Sequence, residues 1–331
     1  MAEQGVLVFG EASAGKLASI TGELLGCGKR LAQKLGEGLS VALLGSGIEP
    51  LARDAIALGA DRVFVADDPL LEGYEGEAYA GALERVIGQA EPRVLLLGQT
   101  SAGRDLAPRI AFRLATGLAT DCVDLDVDPV TGELTQTRPA YGGNVRAVFA
   151  SRGRPRMATV RAKAMPPLGR DNSRTGEVIR VDAALDPAKI RVRVVKRVKE
   201  EVAGVRLEDA PTVVAGGRGI GGPEGFRALE ELAKLLKGAV GATRPAVDSG
   251  WVPGTVQIGL TGKVVAPDLY FAVALSGSSQ HMAGCSGSKH IVAINRDPEA
   301  SVFQDAHFGV VGDWRQIVPA LAEKLRELLR A

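Results

Sequence analysis

Short apolar runs alternate along the first half of the chain with longer segments in which apolar residues recur every three or four positions. The apolar runs lie at 6–9, 39–44, 62–65 and 94–97, and the helix-like segments lie at 13–35, 51–58, 78–89 and 107–114. Short continuous apolar runs are typical of strands buried on both faces, whereas the longer periodicity predicts helices. Because parallel strands need crossover connections, this alternation predicts a largely parallel sheet covered by helices, an α/β domain of nucleotide-binding type.

The pattern changes at Cys122. Val123, Leu125 and Val127 alternate with aspartates, a turn sequence follows at 129–133, and polar strand-like segments continue to residue 160. Alternation with a period of two predicts half-buried strands, and strands joined by short turns pair antiparallel. We therefore predict an antiparallel extension of the first domain.

A second α/β domain is predicted beyond a polar stretch at 166–175 and a basic strand-like segment at 190–200. The basic segment is interpreted as a solvated edge strand, because lysines and arginines discourage edge pairing. Strand patterns then recur at 212–215, 239–242, 291–294 and 310–311, and helical patterns at 222–237 and 317–329. The predicted fold is two α/β domains with largely parallel sheets, residues 1–200 and 201–331, the second of Rossmann-like, nucleotide-binding type.

The composition excludes several classes of protein. The 331 residues are 46% hydrophobic with a formal net charge of +1, which argues against disorder and against bulk electrostatic binding of nucleic acid. The three cysteines include no CxxC pair, which predicts a reducing compartment and no zinc or other metal site. No apolar run approaches the length of a bilayer span, and the first five residues carry no signal pattern. We therefore expect a cytoplasmic protein without membrane insertion.

Residues 10–17 have the GxxxxGK spacing of a phosphate-binding P-loop and follow a predicted strand. Position 17 is leucine, so the hydroxyl that would hold magnesium is missing. We interpret the segment as a strand-to-helix turn with Ser13 as the helix N-cap, rather than as part of a regulatory nucleotide-binding module.

Residues 217–222 match the spacing GxGxxG directly after a predicted strand. The acidic residue that would bind a ribose does not appear at the end of the next strand, where Thr243 and Arg244 stand instead, so nicotinamide binding is weakly supported. The motif is better explained by a phosphate or pyrophosphate on glycine amides at a helix start, with Arg218 as its charged partner.

The most informative stretch is residues 264–295, in which serines, a glycine, Gln280 and His281 stand between two apolar runs. Such a loop brings backbone close to a ligand and offers hydroxyl, amide and imidazole groups to its polar atoms. The stretch resembles the signature of electron transfer flavoprotein alpha subunits. The matching residues are Leu269, Tyr270, Ser276, Gly277, Gln280, His281, Gly284 and 291–295, and residues 96–109 resemble a recurrent segment of the same family.

The resemblance implies a heterodimer in which FAD lies mainly in the second domain of the alpha subunit and a beta subunit completes the site. It implies a redox carrier without substrate turnover of its own, active in fatty acid oxidation. Electrons would come from dehydrogenases such as the acyl-CoA type and pass to a membrane quinone oxidoreductase. An electron-bifurcating or nitrogen-fixation-type subunit is an alternative. A pyridine-nucleotide-dependent oxidoreductase is a weaker one, because we find no catalytic acid or base constellation outside the flavin segment.

By the same resemblance, Thr243 and Arg244 lie beside the flavin ring, and the Thr261 hydroxyl faces flavin N5. Leu260 departs from the family, which usually has glutamine there, and Ser279 replaces an aliphatic residue. Residues 276–281 would wrap the ring and ribityl chain, and Asn295 and Asp313 would contact the adenosine half. The full predicted set is Arg218, Thr243, Arg244, Ile258, Gly259, Leu260, Thr261, Ser276, Gly277, Ser278, Ser279, Gln280, His281, Asn295, Asp313 and Trp314.

Positive charge beside the ring is expected to raise its one-electron potential, from Arg244 first and from His281 to a lesser degree. Taken alone, His281 would be a packed histidine with a satisfied ring, and Arg244 a surface residue paired with Asp248. The neighbouring serines, glycine and Gln280 favour the cofactor role for His281.

Overall fold

A computed structural model describes residues 5–13, 15–141, 145–192 and 205–330, without the side chains of residues 189 and 330. The chain separates into two compact units, Met1–Val198 and Lys199–Ala331. Each unit has its own parallel sheet and its own apolar cores. The predicted class, α/β with largely parallel sheets, is confirmed.

The first unit contains twelve strands and four α-helices within its described residues. The strands are β1 (Val6–Gly10), β2 (Ala12–Ser13), β3 (Lys16–Leu17), β4 (Leu39–Gly45), β5 (Arg62–Asp67), β6 (Val94–Gly98), β7 (Leu118–Cys122), β8 (Asp124–Val127), β9 (Leu134–Ala140), β10 (Val145–Ala150), β11 (Arg156–Val160) and β12 (Glu177–Arg180). The helices are α1 (Ser19–Leu35), α2 (Ala52–Ala57), α3 (Gly76–Ala90) and α4 (Ser101–Arg113).

Seven of these strands form one parallel sheet in the order β12-β5-β4-β1-β6-β11-β7. Every residue of β1, β4 and β6 is buried, which explains why these strands are continuous apolar runs rather than alternating patterns. Helix α4 begins where the Thr100 hydroxyl accepts a hydrogen bond from the Gly103 N–H at 3.0 Å, a side-chain cap for an otherwise unpaired amide.

Two predictions for this unit are corrected by the structure, and one strand was missed. Ser13 is not a helix N-cap: residues 12–13 pair with 16–17 in a small antiparallel hairpin, and α1 begins only at Ser19. Strand β11 is not part of the antiparallel extension, because it pairs in parallel with β6 and β7. The extension itself is confirmed for β8, β9 and β10. Strand β12 was not predicted and pairs in parallel with β5.

The basic segment predicted at 190–200 falls mostly outside the described residues. Residues 190–192 are described and form no strand.

The second unit contains β13 (Thr212–Gly216), β14 (Ala239–Ala242), β15 (Leu269–Val273), β16 (His290–Asn295) and β17 (Phe308–Val311). Its helices are α5 (Pro223–Leu235), α6 (Arg244–Asp248), α7 (Ser279–Met282), α8 (Val302–Asp305) and α9 (Trp314–Arg330). The five strands form one parallel sheet in the order β14-β13-β15-β16-β17. All four strands predicted from the apolar pattern are present.

The two faces of this sheet carry separate cores because successive side chains of a strand point to opposite faces. Tyr270 belongs to one core and its neighbour Phe271 to the other. Helix α5 covers the second face with Phe226, Leu229 and Leu232, all nearly inaccessible. Truncating such a buried leucine to alanine costs about 2–5 kcal/mol, so this face holds α5 to the sheet.

Two kinds of feature are absent from the residues that the structure describes. None of the helices there is long and apolar enough to cross a bilayer. No group of three or more histidine, cysteine or acidic side chains there is arranged to hold a metal ion.

Candidate functional site

The predicted site residues follow the carboxyl ends of the five parallel strands of the second unit. Because the strands are parallel, the segments after them all emerge at one edge of the sheet. From β13 the chain passes first to β14 on one side and then to β15 on the other. This reversal is a topological switch point, the position beside which open α/β sheets bind ligands.

The turn after β13 carries the GxGxxG motif, and two of its glycines are required by packing. A Cβ on Gly217 would lie 2.4 Å from the Ala274 carbonyl oxygen, and one on Gly219 would lie 2.8 Å from the same atom. The N–H groups of Gly217, Gly219 and Gly221 donate to the carbonyls of Val273, Ala274 and Arg218. These three amides are therefore occupied within the protein, and the prediction of a phosphate on glycine amides is left with Gly222 at the start of α5. The exposed Arg218 guanidinium and the open backbone at Gly222 remain available to a ligand.

Thr243 and Arg244 follow β14. The Thr243 N–H donates to the Gly216 carbonyl at 3.0 Å, which fixes this segment beside the turn after β13. The Arg244 guanidinium is 3.3 Å from the Asp248 carboxylate, and both side chains are mostly exposed. The surface ion pair considered for Arg244 is thus present, and it lies at the same edge as the rest of the predicted site.

Residues 258–261 form a turn against the end of β14. The Ile258 N–H donates to the Ala242 carbonyl at 2.9 Å. Leu260 is 54% exposed, and the neighbouring Thr261 hydroxyl accepts a hydrogen bond from the side-chain amide of Gln257 at 3.0 Å. The structure therefore places a glutamine amide on Thr261 from position 257, although position 260 is leucine.

The segment after β15 presents four exposed polar side chains, Ser276, Ser278, Ser279 and Gln280. Gly277 between them has φ of +80°, and a Cβ there would lie 2.4 Å from Val302 Cα. Glycine is therefore required at this bend. The Gln280 carbonyl accepts the Leu260 N–H at 2.8 Å, so this segment and the turn at 258–261 are in direct contact.

His281 does not carry the charge expected of it. Its Nδ1 is 3.1 Å from the Ile258 carbonyl oxygen and its Nε2 is 2.8 Å from the Tyr270 hydroxyl. Burial lowers the pKa of His281 to about 4, against a smaller opposing effect of the Ile258 hydrogen bond. The ring is neutral at physiological pH, so the expectation that it adds positive charge beside a flavin is wrong.

Asn295, Asp313 and Trp314 line one small cavity at the ends of β16 and β17, together with Gly219, Arg296 and Arg315. The Asn295 amide donates to the Leu275 carbonyl at 2.8 Å, and the Trp314 indole N–H donates to the Gly219 carbonyl at 3.3 Å. These bonds join the cavity to the turn after β13 and to the segment after β15.

The residues present fit a dinucleotide with a flat ring. Exposed guanidiniums of Arg218 and Arg315 can pair with diphosphate charge, and the Asp313 carboxylate can accept from ribose hydroxyls. Apart from its two chain neighbours, no residue places a heavy atom within 4 Å of the Cβ position of Gly222, so there is space for a ligand there. These groups suit the diphosphate and ribose of a dinucleotide.

Three residues at this site escaped the sequence analysis: Gln257, Arg296 and Arg315. Gln257 stands four positions before Thr261 without a motif of its own. Arg296 and Arg315 directly follow Asn295 and Trp314. Position after a parallel strand was the signal that could have identified the two arginines.

Comparison with known proteins agrees with this chemistry. Residues 6–186 match the model of the electron transfer flavoprotein domain, and residues 206–286 match that of the electron transfer flavoprotein FAD-binding domain. The electron transfer flavoprotein subunit alpha of Thermoanaerobacterium thermosaccharolyticum is 46% identical over 324 residues, which are 98% of each chain.

Two further relatives extend the comparison. The subunit alpha of Megasphaera elsdenii is 42% identical over 327 residues, 98% of this chain and 97% of the relative. Protein FixB of Clostridium saccharobutylicum is 41% identical over 329 residues, 99% of this chain and 98% of the relative. The chain therefore belongs to the family of electron transfer flavoprotein alpha subunits, whose cofactor is FAD.

Proposed function

We propose that this chain binds FAD at the carboxyl edge of its second sheet and, with a beta-type subunit, carries electrons without substrate turnover of its own. Its donors are dehydrogenases such as the acyl-CoA type, and its acceptor is a membrane quinone oxidoreductase. One observation carries the proposal. The exposed hydroxyl of Thr261 and the polar side chains at 276–280 stand on two segments joined by the 2.8 Å hydrogen bond from Leu260 to Gln280.

FAD supplies the redox chemistry when it is bound, and the protein binds and orients it. Gln257 donates to the Thr261 oxygen at 3.0 Å, so the hydroxyl proton of Thr261 is free to be donated to a ligand. The exposed Leu260 side chain favours contact with a flat apolar ring over contact with water. Thr261 thus offers a ligand one directed hydrogen bond, and the neighbouring Leu260 offers one apolar contact.

Arg244 supplies fixed positive charge at the same edge. Its side chain is 65% exposed and its partner Asp248 is 61% exposed, so solvent screens both charges and the pair between them is weak. Arg244 can therefore turn toward a ligand at small cost, and its charge favours addition of negative charge to a ring beside it.

The first unit packs on the beta-type subunit in this proposal. Strand β10 lies at an edge of its three-stranded sheet, and Val145, Val148 and Phe149 on it are 48%, 65% and 45% exposed. An edge strand with exposed apolar side chains is unusual for a surface that stays in water. A partner subunit covering this strand would remove the exposed apolar area.

Purification of the chain alone and together with its beta-type subunit tests the proposal. The heterodimer is expected to show the flavin absorption spectrum with one FAD at this site, and the chain alone is expected to hold FAD poorly. A heterodimer without flavin contradicts FAD binding. A monomer that retains stoichiometric FAD contradicts the need for the beta subunit.

The electron donor is tested with the same heterodimer by stopped-flow absorbance. A catalytic amount of acyl-CoA dehydrogenase with its substrate is expected to reduce the bound flavin and bleach its absorbance. NADH alone is expected to leave the flavin oxidised. Rapid bleaching by NADH without any dehydrogenase would instead support a pyridine-nucleotide-dependent or bifurcating complex.

A further inference from the structure

We propose that Tyr270 is a positioning residue: its buried hydroxyl orients His281, and the pair locks the turn at 258–261 onto the segment at 276–280. The inference rests on the proposed function, because those two segments are the ones assigned to the flavin. In this proposal His281 holds two segments of the protein together, rather than placing positive charge beside the flavin ring.

The two partners of the His281 ring allow one arrangement of protons on the neutral imidazole. The Ile258 carbonyl can only accept, so His281 Nδ1, 3.1 Å away, carries the ring hydrogen. The other ring nitrogen then accepts from the Tyr270 hydroxyl at 2.8 Å. Burial raises the pKa of Tyr270 well above its ordinary value, so that hydroxyl keeps its proton. His281 is thereby held as one neutral tautomer.

The position of Tyr270 makes this pair a rigid link. Tyr270 is fully buried in β15, and β15 is hydrogen-bonded on both sides by β13 and β16. A strand with two parallel neighbours cannot shift without breaking both ladders. The orientation of His281 is therefore fixed relative to β15 at the centre of the sheet. Through His281, the position of the Ile258 carbonyl is fixed as well.

Backbone contacts show that the two linked segments fit closely. A Cβ on Gly284 would lie 2.4 Å from the Gly259 nitrogen, and one on Gly259 would lie 2.8 Å from the Gln280 oxygen. With so little space between the segments, a change in the His281 ring moves the turn that carries Leu260 and Thr261. Without the Tyr270 hydroxyl, His281 Nε2 is a buried acceptor with no donor, which is unfavourable.

The first test uses Tyr270→Phe, which removes one oxygen atom and keeps the ring. Tyr74→Phe is the matched control, because the Tyr74 hydroxyl also donates a hydrogen bond, to Asp105 at 2.7 Å in the first unit. Hydrogen exchange of the full chain is read for peptides covering 257–263. Tyr270→Phe is expected to speed exchange there about tenfold, with no change in Tyr74→Phe. Unchanged exchange in Tyr270→Phe would overturn the proposal.

The second test reads the tautomer by ¹⁵N NMR of the histidine-labelled heterodimer, which has three histidines per alpha chain. His281 is expected to show the Nδ1–H form and no titration between pH 5.5 and pH 8, values in about the range where an unperturbed imidazole titrates. A wild-type His281 that titrates near its ordinary pKa, or that shows the Nε2–H form, would overturn the proposal.

The third test compares two substitutions of His281, one that can replace its hydrogen bonds and one that cannot. It remains informative if Tyr270→Phe fails to fold. Glutamine at 281 can donate to the Ile258 carbonyl and accept from Tyr270, whereas leucine can do neither. His281→Gln is expected to bind FAD within about threefold of wild type, and His281→Leu about tenfold more weakly. Equal loss in both variants would overturn the link. A wild-type heterodimer that binds no FAD would contradict the proposed function, while the exchange and NMR results would still decide the role of Tyr270.

Discussion

The two units of this chain carry the same kind of sheet edge with opposite chemistry. In the first unit, a cavity at the ends of β1 and β4 is lined by Glu11, Glu72 and the turn at 45–48, and none of its described lining residues is lysine, arginine or histidine. Burial raises the pKa of Glu11, against the smaller effect of a Thr100 hydrogen bond. In the second unit, Arg218, Arg244, Arg296 and Arg315 stand at the corresponding edge.

The loop amides of the first unit are also occupied. The Asp67 carboxylate accepts from the N–H groups of Gly47, Ile48 and Glu49 at 2.8, 2.9 and 3.2 Å. Three converging amides would otherwise form an anion site. A parallel sheet with a crevice therefore does not make a dinucleotide site by itself. The charges and free donors on the segments after the strands decide which of the two units can hold FAD.

The largest expected effect concerns the glycine turn after β13. Gly217→Ala places a Cβ 2.4 Å from the Ala274 carbonyl oxygen, and because both partners are backbone, the free energy of unfolding should fall by about 3 kcal/mol or more. Urea denaturation measures the change. Gly222→Ala in the same motif is the control and should be nearly neutral. Equal losses in both would show that the motif is not required by packing.

A smaller effect follows from the neutral His281. Burial lowers its pKa from 6.5 to about 4, so on acidification the unfolded chain takes up a proton before the folded one, and stability is lost as pH falls below 6.5. Between pH 7.5 and pH 5 this one group should cost about 2 kcal/mol of unfolding free energy. The measurement is the difference in pH dependence between wild type and His281→Gln, which lacks a titrating ring. The same pH dependence of unfolding free energy in both proteins would contradict a lowered pKa for His281.

Arg244 should have a modest effect on the bound flavin because it is mostly exposed. Arg244→Ala should lower the one-electron potential by about 40 mV, the equivalent of about 1 kcal/mol for one electron. Asp248→Ala should move the potential upward, since it frees the guanidinium from its ion pair. Spectroelectrochemical titration of the heterodimer decides between the signs. The wild-type potential in both variants would place this pair away from the ring.

Much of the fold was predictable because buried parallel strands are continuous apolar runs, as at 6–9, 94–97 and 291–294. Pairing was not predictable from such runs. Nothing local in 156–160 shows that it joins the parallel sheet through β6, about sixty residues earlier in the chain. The antiparallel pairing of residues 12–13 with 16–17 was missed because Ser13 and Gly15 also suit a strand-to-helix turn.

The polar residues of the site were predictable from the sequence, but their hydrogen-bond partners were not. Ser276, Ser278, Ser279 and Gln280 stand close together in sequence and are all exposed in the structure. His281 instead finds its partners 11 and 23 residues away, at Tyr270 and Ile258. Those separations depend on how β15 and the turn at 258–261 pack, which a single sequence does not encode locally. That is why His281 was assigned a charge that its buried position excludes.

The location of FAD is tested most directly by a matched pair of bulky substitutions, one at each sheet edge. Ser278 is exposed in the second unit and its hydroxyl makes no cap hydrogen bond with α7, and Ser46 is exposed in the first-unit crevice. Ser278→Trp and Ser46→Trp heterodimers are purified, and flavin absorbance is measured per heterodimer. Ser278→Trp should lose most of its FAD, and Ser46→Trp should retain the wild-type amount. Loss of FAD in Ser46→Trp with retention in Ser278→Trp would contradict binding at the second sheet.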